Sequence, residues 1–312
     1  MTLTAPSESN KTLHALALIV AGATVVLLVA GALVTSNEAG DSVPDWPMSF
    51  SRWLIGSDQF VANVRFEFSH RVIAGAVGFL TLGFAASVWL NKTAIRRLRT
   101  LSLVALVGVV VQALIGGLRV LMPAHKAEIA VPHALVAQSF FGVIVAIVVI
   151  TSRSWSEPRA ARPDTGVIGL GRLAAMAVSA VLIQLVLGAG FRHGAFGVIP
   201  HVAGALVVTI LIALTVVRTL RDHGNEAYLR RPALAAFGLL IAQVGLGIGA
   251  YVARIRAAGE LQPVEPMVSL TVAHVVVGAL VLAMILALAM RSNQVMAAST
   301  TGFGIHSQAI AE

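Results

Sequence analysis

Four histidines recur at near-regular intervals along the 312-residue chain: His70, His133, His201 and His274, separated by 63, 68 and 73 residues. Imidazole is the commonest side-chain metal ligand and an axial ligand of haem iron. Glu67 lies three residues before His70, and Arg71 follows it directly. In a helix this spacing puts the carboxylate and the imidazole on one face and makes Glu67 and Arg71 an i,i+4 pair. Two chemistries fit. In the first, each histidine is a hydrogen-bonded packing residue and Glu67–Arg71 is an interfacial pair that caps a helix. In the second, the histidines bind iron, and Glu67 is a carboxylate beside it that can accept or relay protons. Repetition of one histidine at one place favours the second. The remaining five, His14, His125, His193, His223 and His306, fall at helix ends, in loops or in the tail. Cysteine is absent, which excludes a disulfide, an iron–sulfur cluster, a thiolate nucleophile and a cysteine zinc site. Four histidines on four separate segments, with no carboxylate or thiol shared among them, do not make one tetrahedral zinc site.

The elements that carry these residues are eight apolar stretches, at roughly 13–34, 68–90, 98–121, 129–151, 167–191, 197–219, 232–254 and 267–291. Each is about the 20 residues a membrane-spanning helix needs, and none alternates as a strand would. The composition agrees. Hydrophobic residues make up 57% and charged residues 12%, against about 45–50% and about 25% in soluble domains. That excludes an ordinary soluble protein and a disordered chain. The first stretch is too long for a signal-peptide core and is expected to anchor the chain. Fourteen of the 22 Lys and Arg residues fall on the side that holds both termini, so the termini are expected to be cytoplasmic. The net charge of +8 is then mostly a topology signal, and no nucleic-acid partner is expected. The four histidines each stand near the start of an even-numbered span, all toward the outer face. The residues four further on, Ala74, Ala137, Ala205 and Gly278, are small and leave room for a flat ring.

An internal repeat runs through the odd-numbered spans. The third ends on Gln112…Gly116-Gly117…Arg119, the fifth on Gln184…Gly188…Gly190…Arg192 and the seventh on Gln243…Gly247…Gly249. The first has Gly31, with Leu27 where the others have glutamine. Small residues let helices or a flat ligand approach closely. The fold class expected is an all-α integral membrane protein, eight transmembrane helices arranged as two repeated four-helix bundles. The halves are residues 1–155 and 156–296, and 297–312 form a mobile tail. Short connections make sequential helices neighbours. His70 therefore pairs most naturally with His133, and His201 with His274, each pair able to clamp a porphyrin between facing helices. Only the first pair has a carboxylate close by. Val198 and Thr271 stand where the first half has Glu67.

The segment Gly31-Ala-Leu-Val34-Thr35, followed by Asp45-Trp46-Pro47 and by Glu67-Phe-Ser-His70-Arg71, resembles the haem A synthase family of cytochrome oxidase assembly factors. The resemblance extends over nearly the whole chain. It implies oxidation of a methyl group of haem O to the formyl group of haem A, through hydroxylated intermediates. His70 and His133 match the histidines of the substrate-haem half, Glu67 its required carboxylate, and His201 and His274 the ligands of a resident haem b. It also implies a cell-membrane location, haem O as substrate, and haem O synthase and cytochrome oxidase subunits or assembly factors as partners. An electron acceptor is required, and self-association is left open. Many bacterial members carry two cysteines in the first outer loop. Here Ser42 and Ser49 stand at those positions, so the loop is expected to be held in another way. Arg119, Arg192 or Arg254 could pair with haem propionates, and Asp45 and Trp46 could close the site or, equally, only shape a turn.

Competing functions fit less of the sequence. A bis-histidine diheme electron carrier, doing no chemistry on its haems, explains the histidines but not Glu67 or the long first loop. A transporter needs a polar path near the bilayer midplane, whereas the ionisable residues here gather at helix ends. A prenyltransferase needs aspartate-rich magnesium motifs, and only Asp41 and Asp45 form a close pair.

Overall fold

A computed structural model describes residues 8–157, 168–261 and 263–308. It is helical: α1 (Glu8–Ser36), α2 (Val64–Leu90), α3 (Arg96–Leu121), α4 (Lys126–Thr151), a single turn α5 (Arg153–Ser156), α6 (Leu170–Arg192), α7 (Val198–His223), α8 (Ala227–Arg256) and α9 (Met267–Gln308). All but α5 are long and apolar enough to cross a membrane. The chain is thus a multi-pass membrane protein with the eight expected spans. Helices satisfy their backbone groups within the segment, which hydrocarbon demands. Most boundaries shift by a few residues from expectation, and two of the shifts matter. α2 begins at Val64, which places Glu67 inside its first turn. The stretch from residue 297 continues α9 to Gln308, and the last four residues of the expected tail lie outside the described part. So does 158–167, next to the expected boundary between halves.

Helix packing divides the chain. α1–α2, α2–α3 and α3–α4 are neighbours, and α1 meets α4 to close a first bundle. α6–α7, α7–α8 and α8–α9 repeat that order, and α6 meets α9. Each bundle has its own apolar core, around Val77, Phe84, Phe140 and Ile144 in the first and Ile212, Leu229, Leu282 and Ile285 in the second. The seam joins α1 and α4 to α9, and α4 to α6. Phe141, Val145 and Val149 of α4 meet Ala279, Ala283 and Ala287 of α9. Both stripes advance by four residues, one helix face each, and the alanines let the backbones approach. Pro232 in α8 leaves the carbonyl of Tyr228 without its helical donor. The Arg291 guanidinium of α9 donates to that carbonyl at 3.0 Å. Buried Thr24, Thr81, Thr215 and Thr219 each donate to the carbonyl four residues back, so their hydroxyls are satisfied within the bundle.

Alternation of the spans brings one set of ends together: the ends of α1, α3, α6 and α8 and the starts of α2, α4, α7 and α9. The long connection 37–63 covers this end, called the loop end below. All four repeated histidines are there.

Candidate functional site

Each histidine lies against a glycine of the preceding long helix. A Cβ added to Gly31 would stand 3.2 Å from Cε1 of His70, at Gly116 3.1 Å from His133, at Gly188 3.0 Å from His201 and at Gly247 2.9 Å from His274. One contact repeated four times, at distances that would crowd a Cβ against the ring, accounts for the glycines at the odd-helix ends. They are imidazole rests. At Gly278, by contrast, an added Cβ would meet Gln243 Nε2 at 3.0 Å. The room made by this small residue is used by that amide.

Three histidines are also held by the repeated glutamines. Gln112 Nε2 lies 3.2 Å from His133 Nε2. Gln184 Nε2 lies 3.0 Å from His201 Nδ1 and donates to the His201 carbonyl at 2.8 Å. Gln243 Nε2 lies 3.3 Å from His274 Nε2, and His274 Nδ1 is 3.1 Å from the Gln243 carbonyl. The glutamine repeat is visible in the sequence, but its role emerges only here.

The rings of His201 and His274 are neighbours, edge to face, with centroids 6.3 Å apart and planes at 75°. Two imidazoles each about 2 Å from one metal ion through a ring nitrogen would put their centroids roughly 6 Å apart. The centroid spacing of this pair is the one such a bridge needs. In the first bundle, His70 and His133 lie within electrostatic range of each other. Among the described residues no three His, Asp or Glu side chains converge as a metal-holding group. That suits haem, whose porphyrin supplies the equatorial nitrogens and asks the protein only for axial ligands. It does not suit zinc held by protein alone. Phe191 of α6 stacks on His201 at 6.3 Å and 15°, and Arg254 of α8 lies 4.8 Å above the Phe191 ring. Sequence reasoning did not single out Phe191. Its only signal is an aromatic directly before the Arg192-His193 pair.

Glu67 and Arg71 clamp the covering loop. Glu67 is 4% exposed. Its Oε2 accepts from Ser42 N and Ser42 Oγ, both at 2.9 Å, and from Val43 N at 3.0 Å. Its Oε1 accepts from Arg71 Nη2 at 2.6 Å. Arg71 donates further to the carbonyls of Asp45 at 2.7 Å, Met48 at 2.9 Å and Val43 at 3.1 Å, and reaches Ser49 Oγ at 3.4 Å. Ser42 and Ser49, the cysteine-matching positions, are thus tied to the two members of one ion pair. That is how the loop is held without a disulfide.

Asp45 serves the turn. Its carboxylate accepts from Phe50 N at 2.7 Å and Ser51 N at 2.6 Å, two residues at φ +52° and +59°, in the left-handed region costly for side chains. Slight burial pushes its pKa up, but those amides and the Arg71 charge outweigh this and hold it below the usual carboxylate value. Trp46 lies on α3: a Cβ at Gly117 would fall 2.5 Å from its ring, one residue from the rest of His133.

Arginines of both bundles reach the covering segment and the helix end it leaves. Arg119 donates to the Gly40 carbonyl at 3.3 Å. Arg192, from the second bundle, donates to the Thr35 carbonyl of the first at 3.1 Å. His193 just beyond α6 lies near Arg119, Arg192 and His133. Burial first, then those two arginines, pushes it down to about 4, so it is neutral at neutral pH. Its place between the bundles was not legible in the sequence.

The glycine contacts yield a direct test. Gly247→Val drives its side chain into His274 and is expected to lower haem content in the second bundle at least tenfold while the far-end core still folds, because second-sphere positioning governs metal affinity over about 10–100-fold. Haem extracted per mole of purified protein checks it. Parental haem content would show that Gly247 is not a ring rest.

A family model described as cytochrome oxidase assembly protein matches residues 14–199. The chain is similar to proteins named haem A synthase. One from Alkalihalophilus pseudofirmus is 27% identical over 136 residues, 43% of this chain and 44% of that protein. One from Halalkalibacterium halodurans is 27% identical over 39% of this chain and 40% of that protein. One from Staphylococcus haemolyticus is 24% identical over 242 residues, 70% of this chain and 78% of that protein. The matched part thus spans less than half the length of the first two relatives.

Proposed function

The chain belongs to the cytochrome oxidase assembly protein family, and from that premise we propose that it is a haem A synthase, oxidising a methyl group of haem O to a formyl group. The observation that carries the reading is the fourfold histidine-on-glycine contact, together with the 6.3 Å spacing of His201 and His274. His201 and His274 would hold a resident haem b. His70 and His133 would hold haem O as substrate. The bound porphyrin supplies the iron redox chemistry.

The protein's own residues do the positioning. Gly31 and Gly116 fix where the two imidazoles stand, and Gln112 orients His133. Trp46 on Gly117 and the Glu67–Arg71 clamp hold the loop over this end and limit water there. Arg119 and Arg192 supply positive charge near the histidines, which supports pairing with the two carboxylates of a haem. Glu67 has both oxygens engaged by donors, which supports a role in positioning the loop. Proton acceptance by the same carboxylate would need it to leave Arg71. Lys and Arg distribution supports cytoplasmic termini, with the loop end outside the cell membrane.

The test is haem analysis in a host that makes haem O but no haem A, with and without this chain. The expected result is haem A, or a hydroxymethyl form, only when the chain is present. Unmodified haem O and haem B alone, with the chain present and haem-bound, would overturn the synthase reading in favour of a diheme electron carrier.

A further inference from the structure

The four histidines share a glycine rest, but not a glutamine. Gln112, Gln184 and Gln243 each stand one helical turn before the glycine on which His133, His201 and His274 lie. The equivalent position before Gly31 is Leu27, an apolar side chain packed against the first bundle's core. The His70 ring makes no hydrogen bond among the described residues; its Nδ1, like that of His133, is buried without a partner, but His133 has Gln112 on its other nitrogen. The amide oxygens of Gln112, Gln184 and Gln243 are also buried without partners. The amides of Gln112 and Gln184 can turn to accept an N–H from their imidazoles, the bond that leaves the other ring nitrogen free for a metal, and at His274 the Gln243 backbone carbonyl, 3.1 Å from Nδ1, already takes that part. A hydrogen bond of this kind fixes ring orientation, raises ligand basicity and is worth about 10–100-fold in metal affinity.

We infer that the first site is asymmetric by construction: His133 is a fixed axial ligand and His70 a detachable one, so that an iron porphyrin held there opens one coordination position to a small exogenous ligand. The inference rests on the haem reading above and assigns the open face to the His70 side. The second site, with a glutamine at both histidines, stays closed. Leu27 is thus a positioning residue that acts by withholding a hydrogen bond. The repeat makes this specific. Restoring the missing member by Leu27→Gln closes the first site, and removing a present one by Gln184→Leu loosens the second.

The experiment loads the purified full chain with haem B, reduces it and titrates with carbon monoxide, following the optical spectrum, with spin state read by electron paramagnetic resonance in the ferric form. In the parent, one of the two haems is expected to bind carbon monoxide. Leu27→Gln is expected to weaken that binding at least tenfold and raise the low-spin fraction. Gln184→Leu is expected to raise the high-spin fraction of the second haem. The inference is overturned if neither parental haem binds carbon monoxide, or if Leu27→Gln leaves its affinity unchanged. Should Leu27→Gln not fold, Gln184→Leu decides alone: an unaltered second-haem spin state overturns the inference. A first site that takes up no haem in any variant, while the second does, overturns the substrate-site reading and this inference with it. Haem uptake in both sites with the parental spectrum in both variants overturns only the inference.

Discussion

Glu67→Gln is expected to free the loop between α1 and α2 and to lower conversion of haem O by at least tenfold. The carboxylate accepts three donors on one oxygen and Arg71 on the other, and the Glu67 and Arg71 side chains are only 5% and 16% exposed. An amide at this position has one oxygen. Its NH₂ must face either Arg71 or the Ser42 and Val43 donors, and either choice sets donor against donor. Removing one charge from a buried pair costs about 3–5 kcal/mol, because the partner stays buried and uncompensated. The cost falls on the loop rather than the bundles, whose cores lie elsewhere. Limited proteolysis within 38–63 is therefore expected to speed up while the melting temperature changes little. Ser42→Ala, which removes a single hydroxyl donor, should shift the same readouts in the same direction by less. If Glu67→Gln lost conversion yet was cleaved at the parental rate, Glu67 would act on the reaction and not by holding the loop.

His274→Ala is expected to remove the haem of the second bundle and leave that of the first, lowering haem per chain by about half, since a bis-histidine iron loses one of its two axial bonds. His274 is only half-buried, and the second core lies toward the other end of α9, so the variant should still fold. Methionine is also an axial ligand of haem iron. His274→Met is accordingly expected to recover bound haem with an altered spectrum, which a purely structural histidine would not produce. Full haem content in the alanine variant would remove His274 from the ligand set.

Much of the architecture could be read before any coordinates. Eight runs of apolar residues specify eight helices, because no other element satisfies its backbone in lipid at that length. The repeat of histidine, glycine and glutamine suggested two like bundles, and α1–α4 and α6–α9 do close on themselves. Glu67 and Arg71 were legible as an i,i+4 pair because that contact is local. Their loop partners were not. Ser42, Val43, Met48 and Ser49 meet Arg71 or Glu67 across 22 to 28 residues of chain, mostly irregular, where no period constrains what touches what. Asp45 illustrates the same limit. Its place beside Trp46 and Pro47 left a site role and a plain turn role equally open, and only the structure shows its carboxylate fixing two left-handed residues farther along.

Helix number, the membrane setting and the positions of the histidines are determined by the sequence alone, since hydropathy and spacing are properties of the chain. Tertiary structure decided the pairings. Which glycine supports which imidazole depends on how two helices are rotated about their axes. That rotation is set by packing over the whole bundle, including the alanine stripe of α9 against α4. The same packing decided that Arg192 of one bundle ends on Thr35 of the other, and that three histidines are held by glutamine while His70 stands beside Leu27.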